Sequence, residues 1–278
     1  MTFRELLKEQ AAVLGRAGVA DAENDARLLL LYLKGWEEKD RLLSMEECAP
    51  EADIKAYRAL AARRAERVPL QQVTGESWFY GRRFRVDENV LIPRFDTEVL
   101  VETVLTAEKD RDIRLLDLCT GSGCIAVTLQ LEGGYTDVTA SDISEAALRI
   151  AEMNADAMKA SVCFVKSDLF EGLAGPFDVI VSNPPYIRDD EIETLEPEVR
   201  DHEPRTALSG GPDGLYFYRR IAEDAGLYLK PGGRIYLETG YDEAAAVRIL
   251  FEAAGFRNGC IVRDLAGLDR VFTAVFGG

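Results

Sequence analysis

The sequence predicts an α/β fold, a parallel sheet with helices on both faces, preceded by a small helical domain. Three observations predict it. Apolar residues recur at helical spacing from Thr2 to about Val73; from Asp96 onward short strand-like runs alternate with helical stretches; and the last two extended runs have no helix between them. Alternation at this pitch calls for parallel strands joined by crossover helices, and the closing pair for antiparallel strands at the sheet edge. The 278 residues, 47% of them hydrophobic, suffice for one large core and a smaller one.

In chain order, "FRELLKEQAAVL", "AENDARLLLLYLKG" and "EADIKAYRALAARRAERV" read as helices, with breaks at Gly15, Gly18, Gly35 and Pro50. They predict a helical bundle over residues 1–74. "SWFYGRRFRVDENVLIP" alternates apolar and polar residues around Gly81, which predicts a β-hairpin linker over 75–93. The domain at 94–278 opens with the helix "TEVLVETVLTAE". Strands "IRLLDLC", "DVTASDI", "SVCFVKSD", "FDVIVSN" and "RIYLETG" follow, among helices "CIAVTLQLE", "EAALRIAEMNADAM", "LYFYRRIAEDAGLYL" and "EAAAVRILFEAAG". "GCIVRDLAGLDRVFTAVF" supplies the closing strands. No internal repeat or low-complexity tract interrupts this order.

Charge narrows the class of partner. Lys and Arg number 33 against 49 Asp and Glu, a formal net charge of −16, which argues against a phosphate backbone as substrate. The longest apolar run, "ARLLLLYL", is far short of the roughly 20 residues that cross a bilayer, and no basic leader with an apolar stretch opens the sequence. The expectation is a soluble, cytoplasmic protein with no membrane partner. Cys48, Cys119, Cys124, Cys163 and Cys260 are odd in number and scattered, so they predict neither a disulfide framework nor a metal site, but small buried residues.

In "LLDLCTGSGCIA", Gly121 and Gly123 occupy the first strand-to-helix turn, where glycine lets the backbone bend sharply and a ligand come close. With Ala126 they complete a loose G-x-G-x-x-A pattern, which is unspecific on its own. Asp142, at the end of the second strand, is placed to accept the hydroxyl protons of a ribose. A nucleoside cofactor is implied, either a nicotinamide dinucleotide or S-adenosylmethionine. Asp117, just before the glycines, would repel a pyrophosphate and attract the ammonium group of the methyl donor. Asp168 ends the third strand where an adenine amino group could be read, with Leu169 to pack on the ring. Three acidic strand ends around one crevice favour S-adenosylmethionine, although each could separately be a helix cap.

The fourth strand runs into Asn183-Pro184-Pro185-Tyr186 at the same edge. Proline fixes its own φ and pushes the preceding residue toward extended geometry, so this corner is stiff before any substrate arrives. It is also poor in donors. The prolines offer only carbonyl oxygens, and the Asn183 side chain adds another, so two acceptors can hold the two hydrogens of a planar NH2 group. Fixed carbonyl dipoles would stabilise the positive charge that such a nitrogen gains on attacking a methyl group. Tyr186 could stack on a flat amide or base. A Ser–His or metal mechanism has little support, since the single histidine, His202, falls in an expected solvent-facing loop.

The ordered set "VLIPRFDTE", "DLCTGSGC", "SDIS", "VSNPPYI", "EPRTALSGGPDGL" and "LETGYDE" resembles the HemK-like protein-glutamine N5-methyltransferases that modify peptide-chain release factors. The resemblance spans nearly the whole chain. It implies a class I (Rossmann-like) S-adenosylmethionine-dependent methyltransferase domain behind a helical substrate-docking domain, acting on the glutamine of the release factor's Gly-Gly-Gln motif. It further implies that Cys119, Thr120, Gly121, Ser122, Gly123, Asp142, Asp168 and Asn183 surround the donor. Asn183 and the Pro184 carbonyl would bind the glutamine amide, and Tyr186 would pack against it. The chain departs from the family pattern at Phe95, where a proline is expected, which puts the geometry of the substrate entrance in question. Lys55, Arg58, Arg63, Arg64, Arg67, Arg82, Arg83 and Arg85 suggest a basic docking surface for the release factor. Three other readings stay open: methylation of an exocyclic amino group of a nucleic acid base, nicotinamide-dependent oxidoreduction, and cofactor binding without turnover.

Overall fold

Five helices occupy the N-terminal quarter of the computed structural model, which describes residues 1–277: α1 (Phe3–Arg16), α2 (Ala22–Lys34), α3 (Glu38–Ser44), α4 (Glu51–Ala65) and α5 (Leu70–Thr74). The first begins at a capping box. Thr2 Oγ1 accepts the Glu5 amide at 3.2 Å, and the Glu5 carboxylate accepts the Thr2 amide at 2.9 Å. The second stops at Gly35, whose φ of 61° a side chain would disfavour. The apolar stripes of α1, α2 and α4 meet through Leu6, Leu14, Leu29, Leu30 and Tyr57. The buried Tyr57 hydroxyl donates to the Ala26 carbonyl at 2.6 Å.

This unit comprises Met1–Glu76 together with Glu196–His202, a segment that the sequence pattern places inside the second domain. Ion pairs explain its place. Arg64 shares the buried stripe of α4 with Tyr57 and Ala61, and its guanidinium donates to Asp25 at 2.7 Å and to Glu198 at 2.8 Å. Arg67 reaches Glu198 at 2.5 Å. Burial alone would raise the Glu198 pKa, but hydrogen bonds from Arg67 and Arg64 hold it at about 2. Of the residues expected to form a basic docking surface, Arg64 and Arg67 are engaged in internal pairs, and Arg58 is bound by Glu9 at 2.7 Å. Arg63 alone of the adjacent pair is exposed.

The second unit, Ser77–Leu195 with the chain from Glu203 on, is entered through a hairpin of β1 (Glu76–Phe79) and β2 (Arg82–Arg85). Its turn residues Tyr80 and Gly81 both have positive φ, 49° and 72°, as a two-residue hairpin turn requires. There follow α6 (Thr97–Ala107), β3 (Arg114–Leu118), α7 (Cys124–Gly133), β4 (Asp137–Asp142), α8 (Glu145–Met158), β5 (Cys163–Lys166) and β6 (Phe177–Ser182). Three short helices, α9 (Asp189–Ile192), α10 (Pro197–Arg200) and α11 (Arg205–Leu208), lead to α12 (Tyr216–Tyr228), β7 (Leu229–Glu238), α13 (Ala244–Ala253), β8 (Phe256–Arg263) and β9 (Asp269–Phe276).

The sheet order is β5-β4-β3-β6-β7-β9-β8, parallel from β5 to β7, with β9 antiparallel to both β7 and β8. Strands buried on both faces must be apolar on both. Leu115, Val179 and Val181 accordingly pack with α6 and α7, while Leu116, Leu118 and Ile180 pack with α12 and α13. Strand order reverses between β3 and β6, which opens a crevice at their carboxyl ends. The expectation of buried cysteines is corrected for Cys48, Cys163 and Cys260, which are exposed. No helix among the described residues is long and apolar enough to cross a membrane.

The Arg64 pairs generate a stability prediction. Arg64→Ala strands the partly buried Asp25 and leaves Glu198 with Arg67 alone, and should lower unfolding stability by about 3 kcal/mol. Arg63→Ala on the exposed side of the same turn should change it by less than about 0.5 kcal/mol. Urea unfolding of both variants decides the matter; equal effects would refute the burial argument.

Candidate active site

At the end of β3 the chain turns through Cys119, Gly121 and Gly123, with φ of 58°, 54° and 78°. Gly123 has a further constraint, since a Cβ there would lie 3.0 Å from the Ala151 Cβ, so glycine permits α7 to pack against α8. The turn is tied down from below. Asp117 Oδ2 accepts the Thr120 hydroxyl at 2.6 Å and the Ala126 amide at 3.2 Å. Burial pushes the Asp117 carboxyl up to about 7, against the pull of those two hydrogen bonds. Asn154 on α8 braces the same region, donating to the Ser122 carbonyl at 2.8 Å and the Arg85 carbonyl at 3.1 Å.

A cavity of about 670 Å³ opens above this turn. Cys119, Gly121, Asp142, Asp168, Leu169, Asn183 and Pro185 form part of its wall. Asp117, Thr120, Ser122 and Gly123 do not; Asp117 is wholly buried, with Oδ2 on the turn and Oδ1 without a hydrogen-bond partner among the described residues. Asp142 accepts the Gly121 amide on Oδ2 and the Ser144 amide on Oδ1, both at 2.9 Å. Burial raises its pKa, opposed by the Ser144, Gly121 and Ile143 amides. Asp168 is paired at 2.8 Å with Arg220 of α12.

The corner after β6 stands on the opposite side of the strand reversal. Asn183 Nδ2 donates to Thr97 Oγ1 at 3.3 Å, and the Tyr186 hydroxyl donates to Glu238 Oε1 at 3.3 Å. Pro184 and Tyr186 are outside the cavity wall, where Asn183 and Pro185 stand. Burial raises the Tyr186 phenol and pushes Glu238 up to about 7, although Thr97, Arg270 and Tyr186 favour its charged form.

Sequence reasoning gave no site role to the segment from Pro204 to Arg220, which contributes Pro204, Arg205, Tyr216 and Phe217 to the wall. Its signal was the run of glycines. A Cβ on Gly210 would lie 2.6 Å from the Tyr186 Cα, and one on Gly214 2.6 Å from the Tyr186 carbonyl, so the loop can cross the corner only without side chains. Paired amides fix the crossing, Ile187 to the Leu208 carbonyl at 2.9 Å and Gly210 to the Ile187 carbonyl at 2.8 Å. Phe95 is 76% exposed, between Arg94, paired with Glu203, and Asp96, paired with Arg270. His202 lies in the helical unit and forms no part of the cavity wall.

A doubly wound sheet with an antiparallel β9-β8 edge, and a cavity lined by acidic strand ends at its reversal point, define the class I fold of S-adenosylmethionine-dependent methyltransferases. Residues 94–197 match the family "Methyltransferase small domain", and residues 5–75 match the "PrmC N-terminal domain". The release factor glutamine methyltransferase of Agrobacterium fabrum is 41% identical over 94% of this chain and 92% of its own. That of Bacillus subtilis is 39% identical over 99% and 98%. A methyltransferase structure from Pyrococcus furiosus shares the fold, with a TM-score of 0.54 at 17% identity over 72% of this chain and 91% of that one. The chain belongs to the release factor glutamine methyltransferase family.

The raised Asp117 carboxyl sets a pH test. An unfolded carboxyl titrates near 3.8 and the folded one at about 7, so the folded protein holds a proton there that the unfolded chain has lost. This stabilising contribution is complete below the unfolded value and is lost as pH rises through the folded value. Asp117→Asn removes the titration, so its melting temperature relative to the native protein should climb from about pH 4 to about pH 7 and level off above that. A difference that stays constant across this range would show that the carboxyl does not titrate there.

Proposed function

We propose that this protein, acting in the cytoplasm, transfers the methyl group of S-adenosylmethionine to the side-chain amide nitrogen of the glutamine in the Gly-Gly-Gln motif of peptide-chain release factors. The observation that carries the reading is the placement of Asn183 and Pro185 in the wall of the cavity that Asp142 and Gly121 also line. Family membership supports the substrate, since the relatives from Agrobacterium fabrum and Bacillus subtilis are named for it.

The cavity residues fit the cofactor. Asp142 keeps acceptor capacity on both oxygens after its two amide bonds, as a ribose diol requires. Ile143, Val90 and Leu169 offer apolar surface for a base. The cavity arginines are already paired, Arg220 with Asp168 and Arg205 with Glu193, which leaves no free cation for a pyrophosphate among the described residues of the wall and disfavours a dinucleotide. When bound, S-adenosylmethionine supplies an electrophilic methyl group.

The chain's own residues then act by position. Asn183 Oδ1 and the Pro184 main-chain carbonyl accept the two hydrogens of the substrate amide, fixing the nitrogen and its plane. As that nitrogen gains positive charge, the same two dipoles stabilise it more than they stabilised the neutral amide. No base is needed beforehand: the N–H becomes acidic only as the nitrogen–methyl bond forms at the expense of the donor's sulfur–methyl bond, and its proton then passes to water. The proline pair prevents the corner from relaxing, so the dipoles are oriented before the substrate binds.

Incubation with labelled S-adenosylmethionine and either a release factor or nucleic acid tests the proposal, with the methylated residue mapped by mass spectrometry. Label on one glutamine is expected; label confined to nucleic acid would overturn the reading. Asn183→Ala should lower kcat by about 10²- to 10³-fold. Asp142→Ala should instead weaken cofactor binding by roughly 1.5–3 kcal/mol in calorimetry.

A further inference from the structure

The wall of the cavity follows the strand order. Asn183 stands beyond β6, Cys119 beyond β3, Asp142 at the end of β4, and Asp168 and Leu169 beyond β5. With the methyl group at Asn183 and the ribose on Asp142, the base falls to the β5 end, beside Asp168 and Leu169. The turn there is held in a costly shape. Leu169 has a φ of 51°, in the left-handed region that a leucine seldom adopts. The Ser167 hydroxyl lies 2.7 Å from both the Leu169 and Glu171 carbonyls, and the Glu171 amide donates to the Asp168 carbonyl at 3.2 Å. Backbone strain of this kind persists where surrounding bonds enforce it, and it gathers at ligand sites.

The side chain that this turn carries is held from α12. Arg220 Nη1 donates to Asp168 Oδ1 at 2.8 Å, and the guanidinium lies over the ring of Tyr216, one helical turn earlier, 5.7 Å from its centre. All three residues belong to the cavity wall. The bond to Arg220 occupies Oδ1 and leaves Oδ2 for another donor. Resting on the methyl-transfer reading above, we propose that Arg220 is a positioning residue that sets the choice of base: by holding Oδ1 of Asp168 it turns Oδ2, an acceptor, toward the exocyclic group of the purine. The amino group of adenine donates to that oxygen, whereas the oxo group of hypoxanthine meets it lone pair to lone pair.

Arg220 then dictates how any side chain at position 168 behaves. In Asp168→Asn, Arg220 takes the amide oxygen and leaves the NH2 group facing the base, so the preference inverts toward hypoxanthine. Without Arg220 the same amide is free to turn either way, and the preference vanishes.

Calorimetry on the full-length protein tests this with S-adenosylhomocysteine and S-inosylhomocysteine, which differ in that exocyclic group and in the proton on the neighbouring ring nitrogen. Binding of the first by the native protein reports on the cofactor reading, and the ratio of the two dissociation constants reports on Arg220, so the two can fail separately. The native protein should prefer adenine about 10- to 100-fold, as one hydrogen bond to a charged group provides. Arg220→Met should cut this preference about 5-fold, and Arg220→Lys, which can still reach Oδ1, should keep it within about 3-fold. Asp168→Asn should favour hypoxanthine about 5-fold, and the double variant Asp168→Asn, Arg220→Met should favour neither base by more than about 2-fold. A merely structural role for Arg220 would weaken both ligands in step and leave the ratio at its native value, which would overturn the proposal. A stronger adenine preference in Arg220→Met would overturn it too, because Arg220 itself would then be meeting the base oxygen. So would a native protein without preference, or equal preference in Asp168→Asn with and without Arg220. Should Arg220→Met fail to fold, the sign of the preference in Asp168→Asn decides, and continued preference for adenine there overturns the proposal.

Discussion

The reversal of strand order between β3 and β6 is the constraint on which the site depends. Chain connections leave these neighbouring strands toward opposite sides of the sheet, and the space above their ends stays open for a ligand. The two ends are stitched together where they part, since the Ser182 hydroxyl donates to the Leu118 carbonyl at 2.7 Å. Leu118 pairs in register with both Ser141 and Ser182, so Cys119, Asp142 and Asn183 emerge one residue beyond a common rung. The separation between the glycine turn and the proline corner is therefore set by sheet register. A slip of one residue would turn every one of these side chains to the other face.

Three buried acids stand outside the cavity wall. Asp117, Glu238 and Glu243 are each raised to about 7, chiefly by burial. Each is joined to a segment that must not move. Asp117 grips the glycine turn, Glu238 meets Tyr186, and Glu243 accepts the Gly240 amide at 3.2 Å while occupying space that a side chain on Gly214 would need. Apolar residues could fill the same volume at lower cost, but they would give the backbone no preferred orientation. Stability is exchanged here for direction.

Much of this was legible in the sequence, and the misses have physical reasons. The strand ends, the glycine turn and the proline corner all announce themselves, because glycine and proline act through local geometry that no tertiary contact reverses. Asp117 shares its face of β3 with Leu115, and since both faces of that strand are buried, alternation places it in the interior without saying what its oxygens meet. For Arg64 the helical period was informative, because it stands seven residues after Tyr57 on the buried stripe of α4. The seating of Glu196–His202 in the helical unit had no such signal. It depends on Arg64 and Arg67 meeting Glu198 across more than a hundred residues, and pairing of charges leaves no periodic trace.

These internal pairs also bear on how a protein substrate can be recognised. Steering over distance needs uncompensated charge, yet Arg58, Arg64, Arg67 and Arg82 are each held by a carboxylate of the same chain. Phe95, where the chain departs from the expected proline, is 76% exposed. Its neighbours are pinned, Arg94 to Glu203 and Asp96 to Arg270, so the ring projects to solvent without pulling on the backbone that follows. Two residues later Thr97 is buried and bonded to Asn183. Phenylalanine in place of the expected proline thus changes what the surface presents while leaving the bond between Asn183 and Thr97 in place.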